Sequence, residues 1–216
     1  MIVCYHRSSS LGTLEFCEQK YFLQYNLSLK DKQNKKALMG TVTHKVMQTL
    51  GDKKVAMKKG LDIVEDEETG KTLTFEQCDD LKLLNDIAFD YYGNAFPELD
   101  MTDADRRKCL SWAEKAVAYQ DGVFDPRNQN VHSTELFFDF EIDEPWAKYE
   151  YLVGGEVIEG NLSIKGTVDL IIDNGNNYYE ILDYKTGKRI NWATGEEKTY
   201  EKLQKDTQLL LYYYAL

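Results

Sequence analysis

Proline is scarce in this sequence, three residues in 216, and no segment is low in complexity, which argues against a long disordered region. No apolar run reaches the roughly 18–20 residues that a membrane span needs. The opening "MIVCYHRSSS" lacks the apolar core of a secretory signal. No membrane partner is expected, and the cytoplasm is the expected location. Cysteine is limited to Cys4, Cys17, Cys78 and Cys109, with no CxxC pair, so buried thiols are expected rather than a disulfide framework. No complete Walker-type phosphate loop is present, since Gly70-Lys71-Thr72 lacks the upstream glycine (Glu65 stands there), so no motor is expected within this chain. Positive charge is short as well. The 26 Lys and Arg face 37 Asp and Glu, a formal net charge of −11. Taken alone, that balance argues against nucleic acid, whose affinity comes mostly from neutralised phosphates.

What is present is a 43% hydrophobic, 12% aromatic chain, enough for one good-sized core and a smaller helical lobe. Its charge is unevenly spread. Lys30, Lys32, Lys35, Lys36, Lys45, Lys53, Lys54, Lys58 and Lys59 face only Asp31 and Asp52, whereas Asp62 to Asp105 is strongly acidic. The lysine run is either a phosphate-facing patch or a solvated face.

Along the chain, "SSSLGTLEFCEQKYFLQYNL" reads as a helix capped by Ser9 or Ser10. "ALMGTVTHKVMQTLG" reads as a second helix with Gly51 as its stop. Residues 52–75 read as irregular, with "EDEETGKT" an exposed loop. Two amphipathic helices follow, the second ("TDADRRKCL…") capped by Thr102 or Asp103, and they form an acidic helical block. From "TELFFDFEID" the period becomes two, with Leu136, Phe138, Phe140 and Ile142 on one face and Glu135 on the other. "EVIEGNLSIKGTVDLIID" supplies one or two more strands. "DNGNN" at 173–177 is a hairpin turn, "YYEILDYK" the returning strand, and "EEKTYEKLQKDTQLLLYYYAL" a final helix. Helices, three or so antiparallel strands and a helix make an α/β or α+β chain around a central sheet.

Asp169 lies off the larger apolar stripe of "GTVDLIID". The hairpin sets it roughly symmetrically with Asp183, so the two carboxylates are expected to be neighbours across the pair. Carboxylates that close repel unless a cation sits between them, and such oxygen ligands suit Mg²⁺ or Mn²⁺. Lys185, two residues on from Asp183, is aimed to the same side. A metal beside an ammonium suits a phosphodiester.

These residues resemble the PD-(D/E)xK nuclease superfamily. More narrowly they are similar to the RecB-type nuclease domains of helicase–nucleases and of the CRISPR-associated exonucleases. The resemblance rests on five segments in family order: "SSSLGTLEFCEQKYF", "GTVTHKVM", "GTVDLI", "LDYKTGK" and "QLLLY". An isolated Asp-x-Lys carries little weight; five ordered segments spanning nearly the whole chain carry much. The resemblance implies a restriction-endonuclease-like central mixed sheet flanked by helices, as a single domain over 1–216. The helical block at about 52–130 would be an insertion, the core strands would lie at about 134–185, and the closing helix at about 197–216. It implies Asp169, Asp183 and Lys185 as catalytic residues, with His44 and the Tyr184 carbonyl joining the two aspartates as metal ligands. It also implies Gln208 and Tyr212, one turn apart, as further catalytic residues that contact DNA or the active site, with simple packing on the sheet as the alternative. His44 could otherwise be a hydrogen-bonded helix histidine. Glu135 could approach the site, with an exposed strand carboxylate as the plainer account.

The pattern departs from the family in three places. Glu18 stands where proline is common. Some relatives hold an iron–sulfur cluster, but no cysteine follows Cys109, so none is expected. The chain also stops inside "YYYAL" without a helix cap, which suits either a fragment or a minimal fold. The expected activity is Mg²⁺- or Mn²⁺-dependent DNA hydrolysis, as an exonuclease of recombination, repair or phage-type DNA processing, with a helicase or recombination protein as possible partner. A restriction-type or structure-specific endonuclease, or a nuclease-like domain that binds DNA or protein without cutting, are the alternatives.

Overall fold

The computed structural model describes residues 4–29, 32–187, 197 and 199–215. A short strand β1 (Tyr5–His6) leads into α1 (Ser8–Phe16). The cap lies two or three residues before the expected one: Arg7 is the N-cap, and its N–H donates to the Ser10 hydroxyl at 2.9 Å. The expected single helix is also interrupted. Cys17 adopts extended backbone, α2 (Glu18–Tyr21) restarts, and a π-helical turn over Phe22–Asn26 ends the segment.

Helix α3 (Lys35–Lys58) is the longest element, 24 residues capped by Asn34, whose side chain accepts from the Ala37 N–H at 2.8 Å. Leu38, Val42, Val46 and Leu50 recur at helical spacing and are fully buried. Gly51 does not stop it. It lies inside the helix, where a Cβ would stand 2.5 Å from Thr134 Cγ2 and 2.9 Å from Leu170 Cδ1. The glycine is required by close approach to the strands, a packing demand invisible to a local reading. Residues 52–75 are likewise not irregular. They finish α3 and form a hairpin of β2 (Ile63–Asp66) and β3 (Lys71–Thr74), with Val64 and Leu73 buried as a registered pair.

Helices α4 (Leu81–Ala95) and α5 (Asp103–Ala118) match the two amphipathic segments, and Thr102 caps α5 in a reciprocal capping box with Asp105. Then come β4 (Val131–Glu141), β5 (Lys148–Val153), β6 (Glu156–Asn161), β7 (Ser163–Asp173) and β8 (Tyr179–Leu182). The β5–β6 hairpin includes "KYEYLV", which the sequence reading leaves unassigned. The C-terminal segment contains two helices rather than one, α6 (Tyr200–Leu203) and α7 (Thr207–Ala215). Glu196, Lys198 and Leu216 of that expected helix, and Lys30 and Asp31 of the lysine run, lie outside the described residues.

The sheet is mixed: β7 is bonded to β4, to β1 in parallel and to β8 antiparallel. The chain divides into two units. The first comprises Met1–Lys32, Phe137–Thr167 and Lys188–Leu216, the second Gln33–Leu136 and Val168–Gly187. In the second unit α3, α4, α5 and the β2–β3 hairpin share buried clusters around Val46, Met47 and Leu50 and around Leu38 and Phe89. Val131, Leu170, Ile172 and Leu182 form the strands' own buried cluster. At the β7–β8 turn, Gly175, Asn176 and Asn177 all take positive φ, and the Gly175 N–H donates to the Asp173 carboxylate at 2.8 Å.

Gly51→Ala should destabilise the fold by about 1–3 kcal/mol through overpacking against Thr134 and Leu170. Urea denaturation followed by circular dichroism checks this, and an unchanged midpoint would contradict the packing described.

Candidate metal centre

The β7–β8 ladder pairs Asp173 with Tyr179, Ile172 with Glu180, Ile171 with Ile181 and Leu170 with Leu182. One further step in that register sets Asp169 opposite Asp183, where the regular pairing ends. There the Tyr184 N–H turns to the Asp169 carboxylate, donating to Oδ2 at 2.8 Å. Tyr184 is itself anchored, its hydroxyl donating to the Phe124 carbonyl at 3.0 Å. Asp183 is largely buried, and its Oδ2 lies 2.6 Å from Lys185 Nζ, whose side chain is 58% exposed. The carboxylate is thus held inside while the ammonium reaches solvent.

His44 comes from α3. Its Nδ1 lies 3.3 Å from Asp169 Oδ2, and its ring meets that of Tyr184 edge to face. Gly40, one turn earlier, is where α3 meets the Asp183–Gly187 segment. A Cβ there would stand 3.0 Å from Thr186 Oγ1, so the missing side chain lets the helix and the end of the hairpin approach.

A third element completes the cluster. Glu135 of β4 has φ +44°, the left-handed region that non-glycine residues rarely occupy. That residue breaks the period-two alternation of its strand, and Leu136 and Phe137 are exposed beyond it. The exposed strand carboxylate that period two favoured is not what forms. Glu135 is half-buried, and a ligand atom from each of Glu135, His44 and Asp169 lies within 4.8 Å of the other two. The available signal was its place off the apolar stripe in the strand before the "GTVDLI" segment; the left-handed backbone at Glu135 has none.

The cluster is acidic beyond its charge partners. Burial is the main cause that raises the Asp169 carboxyl above the usual range, and Asp183 raises it further. His44, the Tyr184 N–H and Lys185 pull it back. Glu135 is pushed up to about 7, chiefly by burial and then by Asp169. Asp52, hydrogen-bonded to the Thr134 hydroxyl, adds negative charge nearby. Lys45 supplies one buried cation at 2.7 Å from Asp66 and 3.2 Å from Glu68. Two carboxylates and an imidazole this close match the oxygen and nitrogen donors of a divalent ion.

The lysine run contributes little free charge to this centre. Lys35 and Lys53 are paired with Asp105 and Asp79. Lys54 and Lys58 donate to the Arg127 and Val131 carbonyls. With Lys45, at least five of the eight described lysines of the run are engaged within the fold. Gln208 and Tyr212 lie in the first unit on α7. There the Gln208 amide donates to the Tyr212 hydroxyl, and Tyr212 is buried edge-on against Phe138. All four cysteines are free, but only Cys78 and Cys109 are buried. Among the described residues no helix is long and apolar enough to cross a membrane.

Compared with known proteins, the chain matches the family model for the PD-(D/E)XK nuclease superfamily over residues 8–216. No curated protein and no solved structure matches it.

Glu135 binds its proton more tightly when folded than unfolded, so its ionisation opposes folding. That cost is absent below the ordinary value of 4.5 and complete above about 7. In chelator, the folded protein should lose stability across that window as pH rises, and Glu135→Gln should flatten the loss. Denaturation midpoints measured across the window check this; parallel profiles for the two proteins would contradict it.

Proposed function

This chain belongs to the PD-(D/E)XK nuclease superfamily, and from that premise we propose that it is a metal-dependent deoxyribonuclease. It acts as an exonuclease of RecB type, in recombination, repair or phage-type DNA processing. The observation that carries this reading is the meeting of Asp169, His44 and Glu135 at the end of a hairpin whose next residues place Asp183 against Lys185.

The residues fit a divalent ion. Asp169, Asp183, His44 and the Tyr184 carbonyl would hold Mg²⁺ or Mn²⁺, with Glu135 as a further carboxylate that ionises once positive charge is beside it. Bound there, such an ion offsets charge on a phosphodiester and acidifies a water. The chain's own groups do the rest. The Tyr184 N–H fixes the orientation of Asp169. Asp183 keeps the Lys185 ammonium beside the cluster, from where it can meet a phosphate oxygen and stabilise charge that develops in the reaction. Gly187, just beyond, ends the segment without a side chain that would crowd a DNA backbone. Gln208 and Tyr212 are assigned to DNA contact on the strength of the family resemblance alone, and a helicase or recombination protein remains the proposed partner.

The test is end-labelled linear DNA beside closed-circular DNA with Mn²⁺. Linear DNA should be degraded and circles left intact. EDTA should abolish the activity, and Asp183→Ala or Lys185→Ala should lower it at least about a hundredfold. Equal rates in EDTA and Mn²⁺ would refute the proposal, and cutting of circles would replace the exonuclease by an endonuclease.

A further inference from the structure

Beside Asp183 and Lys185 the second unit holds a cleft of about 380 Å³ that the metal chemistry does not use. Its far wall comes from α5 and the turn after it, chiefly Trp112, Lys115, Tyr119 and Phe124. Tyr119 and Phe124 are stacked, ring centroids 5.3 Å apart and 12° from parallel. Tyr119 is 50% exposed, so this flat aromatic surface is open to solvent. The turn that makes the stack is held in an unusual conformation. Gln120, Asp121 and Gly122 take positive φ in succession, of which only the glycine does so readily. Backbone of that kind persists where the surroundings enforce it and is common at ligand sites. Here the Asn128 amide donates to the Gly122 carbonyl at 3.2 Å and the Gln129 amide to the Val123 carbonyl at 2.7 Å. The Tyr184 hydroxyl donates to the Phe124 carbonyl at 3.0 Å. The residue whose N–H orients Asp169 therefore also fixes the aromatic wall.

We propose that this cleft binds one unstacked nucleobase of single-stranded DNA, next to a phosphate met by the Lys185 ammonium. The inference rests on the nuclease reading and deepens it by naming the substrate class. A stacked aromatic pair suits a base face of any identity, because stacking is tolerant of sequence. Lys115 and Lys185 line the same cleft and supply charge for the phosphates on either side of that base. A base within a duplex has its faces covered by its neighbours, so occupancy of the cleft requires a single strand or a frayed end.

The probe is a labelled short oligothymidylate, bound in EDTA so that cutting plays no part, with an abasic residue walked along it. One abasic position should weaken binding to the wild type about tenfold, the loss of one stack. Tyr119→Ala should bind the intact strand about tenfold more weakly and show no further loss at that position, while Tyr119→Phe should bind as the wild type does. Abasic losses equal at every position, or intact-strand binding unchanged in Tyr119→Ala, would overturn the proposal. Near-ultraviolet circular dichroism of the variants confirms that they are folded. Metal-dependent cutting by the wild type is scored separately: binding without cutting would sink the nuclease reading and leave the base site, and cutting with no abasic or Tyr119 effect would do the reverse.

Discussion

The hydrogen bond from the Tyr184 N–H to the Asp169 carboxylate, 2.8 Å long, joins the end of the β7–β8 hairpin to the carboxyl that His44 and Glu135 approach. Without it Asp169 would stand beside Glu135 and Asp183 with one donor fewer on its carboxylate, and burial would favour its protonated form still more. The bond orients Asp169 while the next residue, Lys185, is tied to Asp183. A three-residue stretch thus sets one acid, holds a second and offers an ammonium to solvent. It can do so because regular pairing stops at Leu182 and frees the backbone from the ladder.

The rest of the second unit serves that stretch. Helix α3 buries Leu38, Val42, Val46 and Leu50 in the core and presents His44 beside Asp169. Two glycines let it approach closely, Gly40 at Thr186 and Gly51 at Thr134 and Leu170. The neighbouring Lys45 is buried but matched by Asp66 and Glu68, and the Tyr92 hydroxyl donates to Glu68 at 2.7 Å. That pairing offsets the cost of taking a charge out of water. A centre rich in closely spaced, partly buried carboxylates is unfavourable for folding on its own, and the packing around it keeps the acids together.

Much of this was legible in the sequence because it depends on local rules. Asn-Gly at 174–175 marked the turn, the turn fixed the register, and the register made neighbours of Asp169 and Asp183. Thr102 with Asp105 spelled a capping box. His44 was legible only with its motif, since a single helix histidine says little. What stayed hidden depends on tertiary contact. Gly51 resembles a helix stop until Thr134 and Leu170 are placed against it. Glu135 resembles a solvated strand carboxylate, because nothing local announces a left-handed residue within a strand. The lysine run resembles a phosphate patch because ion-pair partners such as Asp79 and Asp105 lie far away in sequence.

An ion shared by an imidazole from α3, a carboxylate from β4 and a carboxylate from β7 is the central claim. The most direct measurement is a crystal structure of the protein soaked in Mn²⁺, with anomalous difference density recorded. A single strong peak within coordination distance of His44, Glu135 and Asp169, with Asp183 turned toward it, is the predicted result. Density elsewhere, or none at this cluster with the side chains placed as described, would contradict the account.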